Sequence, residues 1–147
     1  MKLSSFLLPT ILITSALAIW SCSKSNSGKP KISIESIDTE IPNGGSMTAN
    51  IKFSSGSKLA NGNFLAIKTR INQKLPQNTL EGTDTLLVSI PEFSAEKGEL
   101  TFTMPYQSYL HYDDTDNDTL VFKFAVLDVD GKSSDTVTSP KVVVQHP

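Results

Sequence analysis

The chain has 147 residues, with 13 lysines and arginines against 15 aspartates and glutamates, for a formal charge of −2. That size holds one domain with an adequate core, and the mild acidic balance excludes the basic stripe on which nucleic-acid binding depends. One cysteine and two histidines leave no set for a disulfide framework or a structural zinc site.

Residues 1–21 carry a positive Lys2 followed by an apolar run from Phe6 to Ile19, interrupted only by Pro9 and a few small polar residues. A stretch this short with polar residues directly after it reads as a secretory signal rather than a membrane span. The run Leu17-Ala18-Ile19-Trp20-Ser21-Cys22 resembles the lipobox of bacterial lipoproteins, with Ile19 at minus three and Ser21 at minus one. The resemblance implies cleavage before Cys22 and a diacylglycerol on its thiol. Acyl modification also resolves the liability of a lone exported thiol. Residues 22–30 then form the lipidated cysteine and a polar, aperiodic tether. Ser23 is not the aspartate that retains many lipoproteins in the inner membrane, so the resemblance implies an outer-membrane lipid anchor, facing either the periplasm or the cell surface.

Residues 31–147 read as β structure throughout. Ile32 and Ile34 alternate from Lys31 to Ile37, and Pro42-Asn43-Gly44-Gly45 is a turn. Met47, Ala49, Ile51 and Phe53 alternate strictly with Thr48, Asn50 and Lys52, the mark of a half-buried strand. Asn63 to Ile71 predicts a strand through Leu65, Ile67, Thr69 and Ile71; Thr83 to Ile90 predicts another, closed by Pro91; Glu99 to Met104 is a fifth. From Thr119 to Val144 the chain reads as a hairpin. Leu120, Phe122, Phe124 and Val126 alternate with Val121, Lys123, Ala125 and Leu127, so both faces are largely apolar and the strand belongs inside a sheet. Asp130-Gly131 is expected to supply the two positive-φ positions of a primed turn. The return strand, through Val137 and Val142 to Val144, is expected to lie at an edge or to bulge at Pro140, which cannot donate to a ladder. Seven short strands without a helical-period window predict an all-β, two-sheet antiparallel sandwich.

Three stretches carry a family resemblance: Met47-Thr48-Ala49-Asn50-Ile51-Lys52-Phe53, Glu81-Gly82-Thr83, and the layout from Phe122 to Pro140. Together they make residues 31–147 look like the immunoglobulin-like or fibronectin-III-like domain of small Gram-negative envelope lipoproteins. The cysteine pair and core tryptophan of antibody-type domains are missing, the only tryptophan being Trp20. What the resemblance implies is an Ig-like sandwich and a non-enzymatic role at the cell envelope.

Candidate sites are few. With only His111 and His146 available as bases and no nucleophile elbow, a catalytic constellation is not expected. Tyr106, Tyr109, His111 and Tyr112 crowd one loop, where aromatics either stack on a sugar or protein ligand or close the end of the sandwich with their hydroxyls in water. Asp114, Asp116 and Asp118 have the alternate spacing of calcium-loop ligands, yet Thr119 stands where such a loop needs glycine and no glutamate follows at its twelfth position. An acidic turn explains the same residues, so no cofactor is expected beyond the acyl group on Cys22. The chain is expected to be a membrane-anchored binding or adhesion module for an envelope protein or glycan. A structural accessory subunit of an outer-membrane complex is the alternative, and a hydrolase the remote one.

Overall fold

The computed structural model describes residues 28–54, 59–72, 83–110 and 116–146. Nine strands follow in chain order: β1 (Lys31–Ile37), β2 (Glu40–Ile41), β3 (Ser46–Ser54), β4 (Asn63–Arg70), β5 (Thr83–Ser89), β6 (Lys97–Pro105), β7 (Asp118–Leu127), β8 (Val137–Thr138) and β9 (Val142–Val144). A five-residue π-turn, Tyr106–Leu110, follows β6. One sheet has the order β1-β3-β6 and the other β2-β9-β7-β4-β5, with β8 also on β7. The two pack face to face as the expected all-β sandwich. The first strand is split: β1 lies antiparallel to β3, while β2 crosses over to run parallel to β9. No period marks β2 in the sequence, because two residues are too few to show one.

Strict alternation places β3 as expected, with Met47, Ala49, Ile51 and Phe53 all buried. The doubly apolar β7 sits between β4 on one side and β8 and β9 on the other, the interior position its composition demands. Its inward row meets β4 and β6 in a cluster of phenylalanines. Phe64 lies 5.0 Å from Phe102 and 5.5 Å from Phe124, and Phe122 and Phe124 stack at 6.0 Å. Burying each ring contributes about 1.5–3 kcal/mol relative to exposing it. Offset and tilted ring pairs add about 0.5–1.5 kcal/mol.

That cluster sets the register of β4, which the sequence left open. Phe64, not Leu65, points inward, so the buried row of β4 is Phe64, Ala66, Lys68 and Arg70, while Leu65, Ile67 and Thr69 are half-buried on the outer face. A one-residue choice of register inverts every side chain of a strand. Here the aromatic anchor decides it and brings two cations inside.

The hairpin turn differs from expectation. Only Gly131 has a left-handed backbone, with φ of 76°. Asp128 and Lys132 close a three-residue loop, the Asp128 N–H donating to the Lys132 carbonyl at 3.0 Å and the Gly131 N–H to the Asp128 carbonyl at 3.0 Å. Such loops end on a left-handed glycine, in contrast to the two-residue primed turn. The reason is Asp128, whose Oδ1 accepts the N–H groups of Asp130 at 2.9 Å and Lys132 at 2.8 Å and so organises the loop from its first residue.

The return strand bulges as expected, and twice. Between Ser133 and Val137, and again between Thr138 and Val142, it carries one residue more than β7 opposite. A buried serine repairs each gap. Ser134 donates its N–H to the Val126 carbonyl and accepts the Val126 N–H on Oγ at 3.0 Å. Ser139 does the same for Phe122, whose N–H reaches its Oγ at 2.9 Å. The hydroxyls stand in for the carbonyls that the bulges remove from the ladder. The strand is therefore broken at Pro140 without orphaning the core strand behind it, and β2 covers the far side of β9.

Replacing Ser139 by Ala leaves the Phe122 N–H buried without its acceptor. The expected cost is about 1–3 kcal/mol, measured as a fall in the denaturation midpoint. Ser133→Ala, at an exposed position earlier in the same return segment, is expected to change stability by less than about 0.5 kcal/mol. Equal effects of the two variants would show that the hydroxyl at Ser139 has no special role.

Candidate binding groove beside the β5 edge

The sheet containing β5 is wider than the sheet containing β6. Both strands end their sheets, and β5 extends past the cover that β6 offers. The consequence shows in Val88, which pairs in register with inward-facing Phe64 yet is 40% exposed. A groove of about 320 Å³ follows this open side, with Ala66, Leu86 and Met104 as its apolar floor and Lys68, Asp84, Thr85, Ser108 and Tyr109 as its polar walls.

Its polar groups are held in place from below. The inward turn of β4 buries the Lys68 side chain, and a buried ammonium requires partners. Lys68 Nζ lies 3.0 Å from Asp84 Oδ2 on β5 and donates to the Tyr109 carbonyl in the π-turn. One cation thus ties together the edge strand and the turn on opposite sides of the groove. Asp84 keeps a side chain that is 70% exposed, and Tyr109 is 42% exposed. The groove offers a ligand an aromatic face, a carboxylate fixed by its ion pair, two hydroxyl-bearing residues and an apolar floor. Apolar lining with a few convergent polar groups is the usual make-up of a recognition site.

Arg70, two residues further along the same row, receives the opposite treatment. Its Nε reaches Asp118 Oδ1 at the start of β7, and Asp118 Oδ2 lies 2.9 Å from His146 Nε2. Asn72 adds a donor to Asp118 Oδ1 at 3.1 Å. The side chains of Arg70, Asp118 and His146 are at most 1% exposed. Tyr106 lies beside His146, their rings 6.1 Å apart, and its hydroxyl donates to the Gln145 carbonyl at 3.3 Å. Sealed from solvent, the set of Arg70, Asp118 and His146 serves as a clamp that fixes the segment after β9 against β4 and β7.

These placements sort the sequence candidates. Tyr109 lies on the groove. Tyr106 does not display its ring, being 2% exposed and part of the core; its hydroxyl meets the Gln145 carbonyl rather than water, so neither use of it as a surface aromatic holds. Asp118 is buried and its carboxylate faces Arg70 and His146. Asp116 is exposed. His111, Tyr112, Asp114 and Cys22 lie outside the described residues. Among the described residues, no group of three or more histidine, cysteine or acidic side chains gathers as a metal site. Lys68, Arg70 and Asp84 were missed, and His146, considered only as a base, is a partner of Asp118. The signal for the first two was present, because in Phe64, Ala66, Lys68 and Arg70 a cation appears at alternate positions of a strand whose first two members are apolar.

A larger hollow of about 580 Å³ lies at one end of the three-stranded sheet, lined by Lys31, Lys52, Lys97 and Glu99 around Phe53. Its walls are exposed side chains, and its Lys52 pairs with exposed Glu35 at 2.7 Å. Long surface side chains hold no fixed geometry in water, so the smaller groove, tied by a buried cation, is the better candidate.

No protein-family model and no curated protein matches the chain. Among solved structures, it is similar to a β-glucosidase from Listeria innocua in complex with glucose, at 12% identity and a TM-score of 0.43. The match covers 80% of this chain and 16% of that one.

Asp118→Ala removes the buried carboxylate that Arg70 and His146 share, and the expected loss is about 3–5 kcal/mol in unfolding free energy. Asp84→Ala, whose carboxylate is mostly in water, is expected to cost less than about 1 kcal/mol. A similar small loss for both would refute the clamp. With Asp118 engaged internally, millimolar calcium is expected to raise the melting temperature no more than sodium chloride at matched ionic strength. Weak extracellular calcium sites bind at about 10⁻⁴ to 10⁻³ M, so a calcium-specific rise of several degrees, lost in Asp116→Ala, would overturn that expectation.

Proposed function

We propose that this protein is a lipid-anchored, non-enzymatic binding module of the bacterial cell envelope. The groove between β5 and β6 is its recognition site, and an envelope protein or glycan is its partner. The observation that carries the reading is the Lys68–Asp84 pair beside Tyr109. It is a polar constellation organised before any ligand arrives, on the side of the sandwich that its own second sheet leaves uncovered. Preorganised groups lose little freedom on binding.

Recognition rather than turnover is supported by the chemistry of the groove. Lys68 is committed to a carboxylate and a carbonyl, which removes it as a base for Ser108, and His146 is engaged inside the clamp. Anchoring is supported by the lipobox-like run ending at Cys22 and the polar stretch after it. Two or more acyl chains hold a protein stably at a membrane, each buried methylene contributing about 0.8 kcal/mol.

Two measurements test this function. Cys22→Ala is expected to abolish incorporation of labelled fatty acid and to move the protein out of the membrane fraction; label retained in the variant would refute the anchor. A photo-crosslinking residue placed at Tyr109 is expected to capture an envelope component in native membranes, whereas the same group at exposed Thr103 on the outer face of β6 is not. Equal capture at both positions, or turnover of any substrate by the purified chain, would refute the recognition groove.

A further inference from the structure

Among the described residues, β5 is a free edge of an unusual kind. Thr83–Ser89 pairs with β4 through seven successive residues without a bulge, and among the described residues no strand lies on its other side. Its sequence, Thr-Asp-Thr-Leu-Leu-Val-Ser, has neither proline nor lysine, the residues that ordinarily blunt an exposed edge. Leu87 on its outer face is 58% exposed and Val88 on its inner face 40%. A row of main-chain donors and acceptors flanked by apolar side chains on both faces is a template for another strand.

Two pockets lie along this edge, both between β5 and β6. The groove already described meets β5 at Asp84, Thr85 and Leu86. A second, of about 100 Å³, meets it at Val88 to Pro91 and is closed by Phe64, Leu100 and Phe102. Asp84 and Val88 are four residues apart, about 13 Å along a strand at 3.3 Å per residue, and both point inward. A strand added to β5 presents its own inward side chains at the same spacing. The small pocket is apolar and admits a side chain of valine size. In the larger one Asp84 meets the buried Lys68 ammonium on one side, and its carboxylate, 70% exposed, keeps its other side open at the mouth, where it can accept a second cationic donor.

We infer that the partner of this site is an extended polypeptide strand that pairs antiparallel with β5, placing an apolar residue in the small pocket and, four residues later, a lysine or arginine beside Asp84. The inference rests on the binding-module reading and names the class of partner. A second copy of this chain fits less well. Two-fold pairing about Leu86 sets Val88 of the other copy opposite Asp84 and leaves the carboxylate without a cation.

The probe is a synthetic peptide, acetyl-Thr-Val-Thr-Ser-Thr-Lys-Thr-amide, titrated into the isotope-labelled full chain in detergent and followed by amide chemical shifts. The expected result is a saturable response confined to Thr83–Ser89 and the residues lining the two pockets. Replacing the peptide lysine by glutamate is expected to weaken binding about two- to fivefold, the range of a partly exposed ion pair, and Asp84→Asn is expected to abolish that difference. No response along β5, a response on another face, or equal binding of the two peptides overturns the proposal. So does concentration-dependent dimerisation in sedimentation that is lost on Leu87→Lys, because β5 then serves a second copy. If the peptides fail while crosslinking at Tyr109 still captures an envelope component, the groove is a binding site but its partner is not a strand.

Discussion

Two cations on the inward row of β4 govern one end of this sandwich. A charged side chain inside a β-sandwich is tolerated only where a counter-charge and hydrogen bonds meet it, because desolvation outweighs what packing returns. Lys68 and Arg70 are carried inward by Phe64, which commits the register of the whole strand to the aromatic cluster. Once that register is set, the strand on each side of β4 has to supply an acid. β7 supplies Asp118 and β5 supplies Asp84. The positions of the π-turn and of the segment after β9 follow, since the Tyr109 carbonyl and His146 complete the two sets of partners.

The fold was legible wherever burial followed simple alternation. β3 and β7 are long enough to show their period, and the doubly apolar faces of β7 located it inside its sheet. The inward row of β4 was not legible because both of its rows are plausible interiors: Leu65, Ile67 and Ile71 outweigh Phe64 and Ala66 if apolar residues alone are counted. Only the aromatic contacts across the sandwich, which are tertiary, decide between them. The glycine of the hairpin was legible, but the loop geometry was not, because a buried aspartate one turn-length earlier competes for the same N–H groups. The serine bulges have no periodic signature at all. They become visible only once the register is known.

The candidate site was less legible for the same reason. Tyr109 stood out as an exposed aromatic on a loop, while Tyr106, three residues earlier, looked equivalent and turned out to belong to the core. Asp118 matched the spacing of a cation loop, but its partner Arg70 lies 48 residues earlier in sequence and His146 lies 28 later. A spacing rule sees neighbours along the chain; the field felt by a buried carboxylate comes from neighbours across strands. The acidic stretch is thus divided by burial, with Asp118 turned inward as a structural charge and Asp116 left in water.

The difference between clamp and groove reduces to which neighbour answers each cation. Arg70 is answered by β7, a central strand, so its carboxylate is covered on every side and the pair is sealed. Lys68 is answered by β5, an edge strand that overhangs the narrower sheet, so its carboxylate remains 70% exposed while the ammonium is buried. The same strand, with two cations two residues apart, thereby builds one interaction that holds the domain together and one that leaves part of its charge facing outward. Among the described residues no strand lies beyond β6 to cover this side of the wider sheet, so the groove stays open along β5.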